Sequence, residues 1–261
     1  KTTEWDVNYV AFDFYADYLP HQKKFDMLGM AEHGILQIPL AMIDPVNRHI
    51  VALQTNIAAL AYNKKLVPEN KTPATYEDML KPEFKGKKFA TDVRPRAVAA
   101  LVPAWGLEKV LVYAKQLAAQ DPMWTRGDTR TLPLMASGEI PMNLGLNYKG
   151  YLRFKEKDVQ DVLSAKILEP IAMRLTEPEG ISATGQHPYA GLLWLEFQAG
   201  PEAQAILDKV DRAASHLTPG TFHEKATRGK KISLLGWGDY PRMGRYEEEI
   251  VKAFGFPRAD K

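Results

Sequence analysis

The sequence contains no cysteine. That excludes disulfides, thiolate metal sites and cysteine nucleophiles. It has no apolar run near the roughly 20 residues that a membrane-spanning helix needs, so no direct membrane insertion is expected. Its opening KTTEWDV has neither an initiating Met nor the apolar centre of a signal peptide. It lacks an excess of either charge: 34 Lys and Arg face 32 Asp and Glu, a formal +2. Such a balance offers no field for nucleic acid or an anionic membrane. No G-x-S-x-G elbow, phosphate-binding G-x-x-x-x-G-K-[ST] loop, G-x-G-x-x-G fingerprint or H-E-x-x-H pair occurs. The six histidines (His21, His33, His49, His187, His216, His223) are scattered, and none has the i, i+4 spacing of a helical metal pair. With 32 carboxylates, chance acidic pairs are expected and none counts as a catalytic dyad. We therefore expect no enzyme and no bound cofactor.

What remains is an ordinary globular composition, 45% hydrophobic and 25% charged over 261 residues, enough for one large domain or two small ones. Strand-like and helix-like segments alternate, which predicts an α/β protein with largely parallel sheets. WDVNYVAF from Trp5, His49–Asn63, Lys87–Val93, Glu139–Tyr148 and Ala165–Arg174 read as strands. MLGMAEHGIL from Met27 reads as a helix closed by Gly34. Thr75 and Asp78 have the spacing of a capping box, and Pro82 ends the short helix they begin. The run from Arg94 to Gln120 is helical but split at Pro103 and Gly106. Its second part carries the apolar stripe Leu107, Val110, Leu111, Ala114, Leu117 and Ala118. Pro188 and Pro201 each start a helix, and RYEEEIVKAFGF forms an amphipathic last one.

Three segments, in order, resemble the type II periplasmic binding proteins, in the branch that contains the ferric-iron-binding proteins. They are AYNKKLVPENKTPATYEDMLKPEFKGKKFATD (Ala61–Asp92), SGEIPMNLGLNY (Ser137–Tyr148) and SATGQHPYAGLLWLEFQAGPEAQAIL (Ser182–Leu207). The resemblance implies an extracytoplasmic, periplasmic solute-binding protein that hands a small molecule or ion to an ABC permease. It also implies a type II fold of two lobes: mixed sheets flanked by helices, two crossover strands at a hinge, and ligand in the cleft between. We place lobe one at residues 1–57 and 171–261 and lobe two at 58–170. Family members begin with a strand, a ligand-binding loop and a helix ahead of the region matched by WDVNYV. The sequence shows no such segment, so we expect a longer N-terminus in the natural protein.

The site residues follow from strand ends and from the resemblance. Open α/β sheets gather ligands beyond the carboxyl ends of their strands. Tyr148 matches the first of two adjacent tyrosines that hold iron in the ferric branch. Lys149 stands where the second would be, and Tyr151 follows. A ferric ion wants hard anionic oxygens, and a lysine cation there suits an anion instead. Arg94 and Arg96 follow a strand at a helix start, and arginine grips carboxylate or phosphate with a bidentate fork. Arg126, Asp128 and Thr129 sit in WTRGDTR, which resembles the family's arginine-glycine-x-threonine loop. Asp128 and Thr129 serve equally well as helix caps. Thr55 and Asn56 are polar residues in an apolar crossover run and need partners; we expect Asn56 to face the ligand. The expected ligand is a small anion, an organic carboxylate or a phosphorylated compound. Ferric iron held by Tyr148 and Tyr151 is the alternative within the family. An enzyme or a sensory module on the same scaffold is the alternative outside it.

Overall fold

The run Ile50–Asn63 is apolar apart from Gln54, Thr55, Asn56 and Asn63, and it forms the longest strand among the described residues. A computed structural model describes residues 5–9 and 14–256. In chain order its strands are β1 (Val7–Tyr9), β2 (Ile50–Asn63), β3 (Ala90–Asp92), β4 (Met123–Thr125), β5 (Met142–Asn147), β6 (Leu163–Lys166), β7 (Ile171–Ile181) and β8 (Ile232–Leu235). The helices are α1 (Tyr15–Tyr18), α2 (Met27–Glu32), α3 (Arg96–Ala99), α4 (Val102–Trp105), α5 (Leu107–Ala119), α6 (Asp128–Ser137), α7 (Tyr148–Lys155), α8 (Pro188–Ala199), α9 (Pro201–Val210), α10 (Phe222–Thr227) and α11 (Met243–Phe254). Val10, Ala11 and Phe12 of the WDVNYVAF run lie outside the described residues.

The chain divides into two compact units. The first comprises the described parts of Lys1–Thr55, with Leu175–Arg228 and Gly236–Pro241. There β1 pairs antiparallel with the end of β7. Met27, Met42, Ile43, Val51, Leu53, Leu192 and Leu195 form its core. Gln204, fully buried, ties this unit's loops together: its amide donates to the Leu53 and Gln198 carbonyls and its oxygen accepts from the Ser215 N–H.

The second unit runs from Asn56 to Arg174 and takes in Gly229–Leu235 and the chain from Arg242. Its sheet has β2 flanked by β6 and β5, both antiparallel. Next come β3 and β4, parallel to each other, with β3 also parallel to β5. The opening residues of β7 pair in parallel with β8. The sheets are thus mixed, with antiparallel pairings beside parallel ones, and not largely parallel as strand–helix alternation alone predicts. The tail also departs from the sequence reading, which assigns it to lobe one. The buried side of α11 (Tyr246, Ile250, Val251, Phe254) packs on α5 and α3, and β8 joins β7, so 229–235 and 242–256 belong to the second unit.

Two strand expectations are also corrected. Glu139–Tyr148 ends as a strand at Asn147, because the Asn147 side chain accepts the Lys149 N–H at 3.1 Å and opens α7 at Tyr148. Ala165–Arg174 is two strands, since Pro170 has no N–H to continue the ladder. The capping box is present: Asp78 and Thr75 exchange backbone-to-side-chain bonds at 3.1 Å, here heading a 3-10 turn. Gly34, at φ +69°, closes α2 as expected.

One glycine positions the site. β5 pairs Leu146 with Ala59 but Leu144 with Leu60, leaving Gly145 as the extra residue of a β-bulge. Its φ is +89°, and a Cβ there would lie 2.6 Å from the Cβ of Ala97 on α3. The bulge therefore lets α3 lie directly against β5. Gly145→Ala should destabilise the protein by roughly 2–4 kcal/mol, from left-handed strain plus the clash. Adding Ala97→Gly should restore the clash portion and leave about 1 kcal/mol of backbone strain. Denaturant unfolding of the two variants reads this; a loss under about 0.5 kcal/mol in the single variant would contradict it.

Candidate functional site

Asp92 is the last residue of β3, and its carboxylate gathers two loops. Oδ1 accepts the Arg94 N–H at 2.8 Å and the Arg94 Nε at 3.2 Å. Oδ2 accepts Arg94 Nη2 at 3.0 Å and the Gly127 N–H at 2.8 Å. The RPR loop before α3 and the RGD loop before α6 are thus pinned to one group. A third loop joins through Asp128, whose Oδ2 accepts the Asn147 N–H at 3.2 Å. Gly150 makes room for that carboxylate, since a Cβ there would stand 3.3 Å from Oδ2.

These loops enclose a cavity of about 150 Å³, lined wholly by residues of the second unit. Its polar wall comprises Asn56, Thr91, Asp92, Arg94, Arg96, Asp128, Asn147 and Arg174, and Ala97, Leu144 and Met173 are among the apolar lining. Three guanidiniums therefore share it with two carboxylates. Arg94 is already paired with Asp92. Arg96 Nε lies 4.0 Å from Glu247 on α11. Asn56 Oδ1 is buried and has no hydrogen-bond partner among the described residues. Asp128 is pushed up to about 6, chiefly by burial; the Asn147 N–H works against the shift, Asp92 adds to it, and Arg94 and Arg174 oppose it. At neutral pH it is still mostly ionised, but it takes up a proton far more readily than an exposed aspartate does.

Beside the cavity lies an open depression lined by Arg94, Arg126, Gly127, Thr129 and Arg130. Arg94 belongs to both walls, and its Nη2 passes 3.3 Å from where a Cβ on Gly127 would sit.

Of the residues singled out in the sequence, the structure brings Asn56, Arg94 and Arg96 together in the cavity, and Arg94, Arg126 and Thr129 in the depression. Tyr148, Lys149 and Tyr151 line neither. Tyr151 is 3% exposed and packs with Leu132, Met135 and Leu163. Tyr148 stacks on it at 5.6 Å between ring centroids, and burial first, then Tyr151, raises its phenol pKa. Thr55 turns into the first unit, bonded to His216 Nδ1 at 2.9 Å. Among the described residues no group of three or more His, Asp or Glu is placed to hold a metal. Sequence reasoning missed Asp92, Asn147, Arg130 and Arg174. Arg174 alone leaves a signal, as the only cation in the apolar run ILEPIAMR.

The family model of bacterial extracellular solute-binding proteins matches residues 8–240, and the chain belongs to that family. Among solved structures, the apo ferric ion-binding protein A of Pasteurella haemolytica is 18% identical with a TM-score of 0.71, over 96% of this chain and 81% of that one. Iron-bound HitA from Pseudomonas aeruginosa is 15% identical at TM-score 0.72, over 97% and 84%. The substrate-binding protein of an ABC transporter from Agrobacterium tumefaciens is 16% identical at 0.72, over 97% and 80%. The fold is that of the type II periplasmic binding proteins. No curated protein matches the sequence. No helix among the described residues is long and apolar enough to cross a membrane.

The Asp128 shift carries a sign. Its folded pKa, about 6, lies above the usual 3.8, so its contribution to stability is present below about pH 4 and lost as pH rises through 6. Asp128→Asn should therefore melt higher than the parent at neutral pH, by up to about 3 kcal/mol, with the gap closing towards pH 4. Parallel melting curves of parent and variant across that range would refute a buried, reluctant acid.

Proposed function

We propose that this protein is the periplasmic binding subunit of an ABC importer and that its solute is a small anion, an organic carboxylate or a phosphorylated compound, taken at the Arg94–Arg96–Arg174 cavity. The observation that supports this is the make-up of the wall: three guanidiniums against two carboxylates, Asp92 paired with Arg94 and Asp128 raised to about 6 chiefly by burial. Guanidinium forks match carboxylate and phosphate oxygens two at a time. Asn56, buried and short of a partner at its oxygen, adds an acceptor for a hydroxyl on the same solute. Arg126 and Thr129 extend the cationic surface beside it. The membrane permease is the second partner, and nucleic acid is none.

The Pasteurella haemolytica protein is a ferric ion-binding protein, and HitA from Pseudomonas aeruginosa is iron-bound. In this chain Tyr151 contributes to a core instead of a cavity wall, and that favours the anion.

A thermal-shift screen of organic acids, phosphate esters and ferric salts tests the reading. A fitting anion at a hundredfold excess over Kd should stabilise the protein by about 2.7 kcal/mol. Arg174→Gln should weaken that anion about tenfold or more, the loss of one charge-assisted bond. A shift with ferric iron alone, accompanied by visible absorbance, would overturn the proposal.

A further inference from the structure

Each arginine of the cavity wall has a carboxylate for a neighbour. Arg94 is held by Asp92. Arg96 Nε lies 4.0 Å from Glu247 of α11. Arg174 is close enough to Asp128 to favour its ionised form, as is Arg94. With Glu247 counted beside the lining residues, three guanidiniums stand against three carboxylates, and the formal charges cancel. An anion that enters adds a negative charge to this balanced set. Uptake of a proton by one of the three acids restores the balance. The three are not equally suited to it. Asp92 accepts four bonds that anchor two loops, and a proton there would weaken that anchor. Glu247 meets the cavity through Arg96 and is not among its lining residues. Asp128 lines the cavity itself, and it is Oδ2 that accepts the Asn147 N–H.

Resting on the proposed function, we infer that capture of the anion is coupled to uptake of one proton, which passes from solvent to Oδ1 of Asp128 and returns when the solute leaves. The protonated carboxyl donates its O–H to an oxygen of the solute, so Asp128 changes from a repelling group into a binding one. The groups around it are known on every side. Asp92 faces it from β3, Arg94 from the loop before α3, and Arg174 from β7. Arg96 lines the same cavity. From β5 and α7 come the uncharged Asn147 N–H and Gly150. On its own segment, Arg126 and Arg130 line the neighbouring depression. Burial has already lifted the acid to about 6 in the empty protein, within one unit of neutrality. An anion beside it lifts the pKa further. The bound state therefore holds more protons than the empty one, and affinity rises as pH falls.

The test is titration calorimetry of the whole chain with lactate, with sulfate and with each anion that raises the melting temperature in the screen above. Lactate and sulfate stay ionised above about pH 5. Each titration is run in two buffers of different ionisation enthalpy, which counts the protons taken up. Expected is uptake of roughly half to one proton per anion at about pH 7, and an affinity that rises by up to about tenfold per unit as pH falls from about 8. The rise should level off below about pH 6, where the empty protein already holds the proton. In Asp128→Asn the amide oxygen still accepts the Asn147 N–H. Proton uptake should vanish there, the affinity should lose its slope with pH, and at about pH 8 it should exceed the parent's. Circular dichroism of the variant confirms folding. Binding by the parent without proton uptake, or an unchanged slope in Asp128→Asn, would overturn the coupling at Asp128 while leaving an anion-binding cavity. No response to any anion would overturn the proposed function and this inference with it.

Discussion

The carboxylate of Asp92 is the group on which the site depends. Two of its four accepted bonds come from backbone N–H groups, Arg94 and Gly127. Those bonds fix where two loops end, whatever the side chains do. The other two come from the Arg94 guanidinium. An arginine on a free loop spends several rotatable bonds' worth of entropy when it grips a ligand. Here that ordering is complete before any ligand arrives, which is the condition for a geometrically selective site. Gly127 is part of the same device. Its φ of +83° turns the chain, and its missing side chain leaves the space that Arg94 Nη2 occupies.

Clustered guanidiniums repel one another, and a wall of three alone would work against the folded state. Asp92 and Asp128 offset that repulsion, and the two do so differently. Asp92 is satisfied by four donors and is a structural anion. Asp128 accepts the Asn147 N–H and carries a burial cost that lifts it to about 6. It can lose its charge at modest expense. An incoming anion would raise the pKa of a neighbouring acid, so under the proposed function Asp128 is the group suited to yield its charge while Asp92 keeps the frame. Two aspartates thirty-six positions apart thus divide the work of a charged cavity, one holding shape and one adjusting charge.

Much of the fold is legible in the sequence because its signals are local. The apolar run Ile50–Asn63, the prolines at 188 and 201, and the capping box at Thr75 act over one turn or one strand, and each appears where it is read. The site is legible only in part. Arg94 and Arg96 stand out because they follow a strand, and Arg126, Asp128 and Thr129 because of the RGDT loop. Asp92 looks like an ordinary solvated acid, and only the meeting of β3, β5 and the α6 loop makes it otherwise. Arg174 comes to the cavity from more than seventy residues beyond Arg94 in sequence, a distance over which no periodicity carries information. The tail's place in the second unit is likewise beyond any local signal. Its amphipathic stripe specifies that α11 must be buried on one side but not which unit will cover it.

The NYKGY segment shows how one cap redirects chemistry. Read as the end of a strand, Tyr148 and Tyr151 would project to opposite faces, in keeping with period two. Asn147 instead accepts the Lys149 N–H and starts a helix. In a helix, residues three apart share a face. That face here meets Leu132, Met135 and Leu163, so the two rings stack on each other and into a core. Lys155, one turn further on, lies over the Tyr151 ring at 5.7 Å and bonds its hydroxyl, and that bond raises the lysine's pKa. The phenols of Tyr148 and Tyr151 are therefore engaged in packing and in a cation contact. The hard anionic oxygens that a ferric ion would require must be weighed against that packing, whereas the anion proposed for the arginine wall would call for no rearrangement of this core.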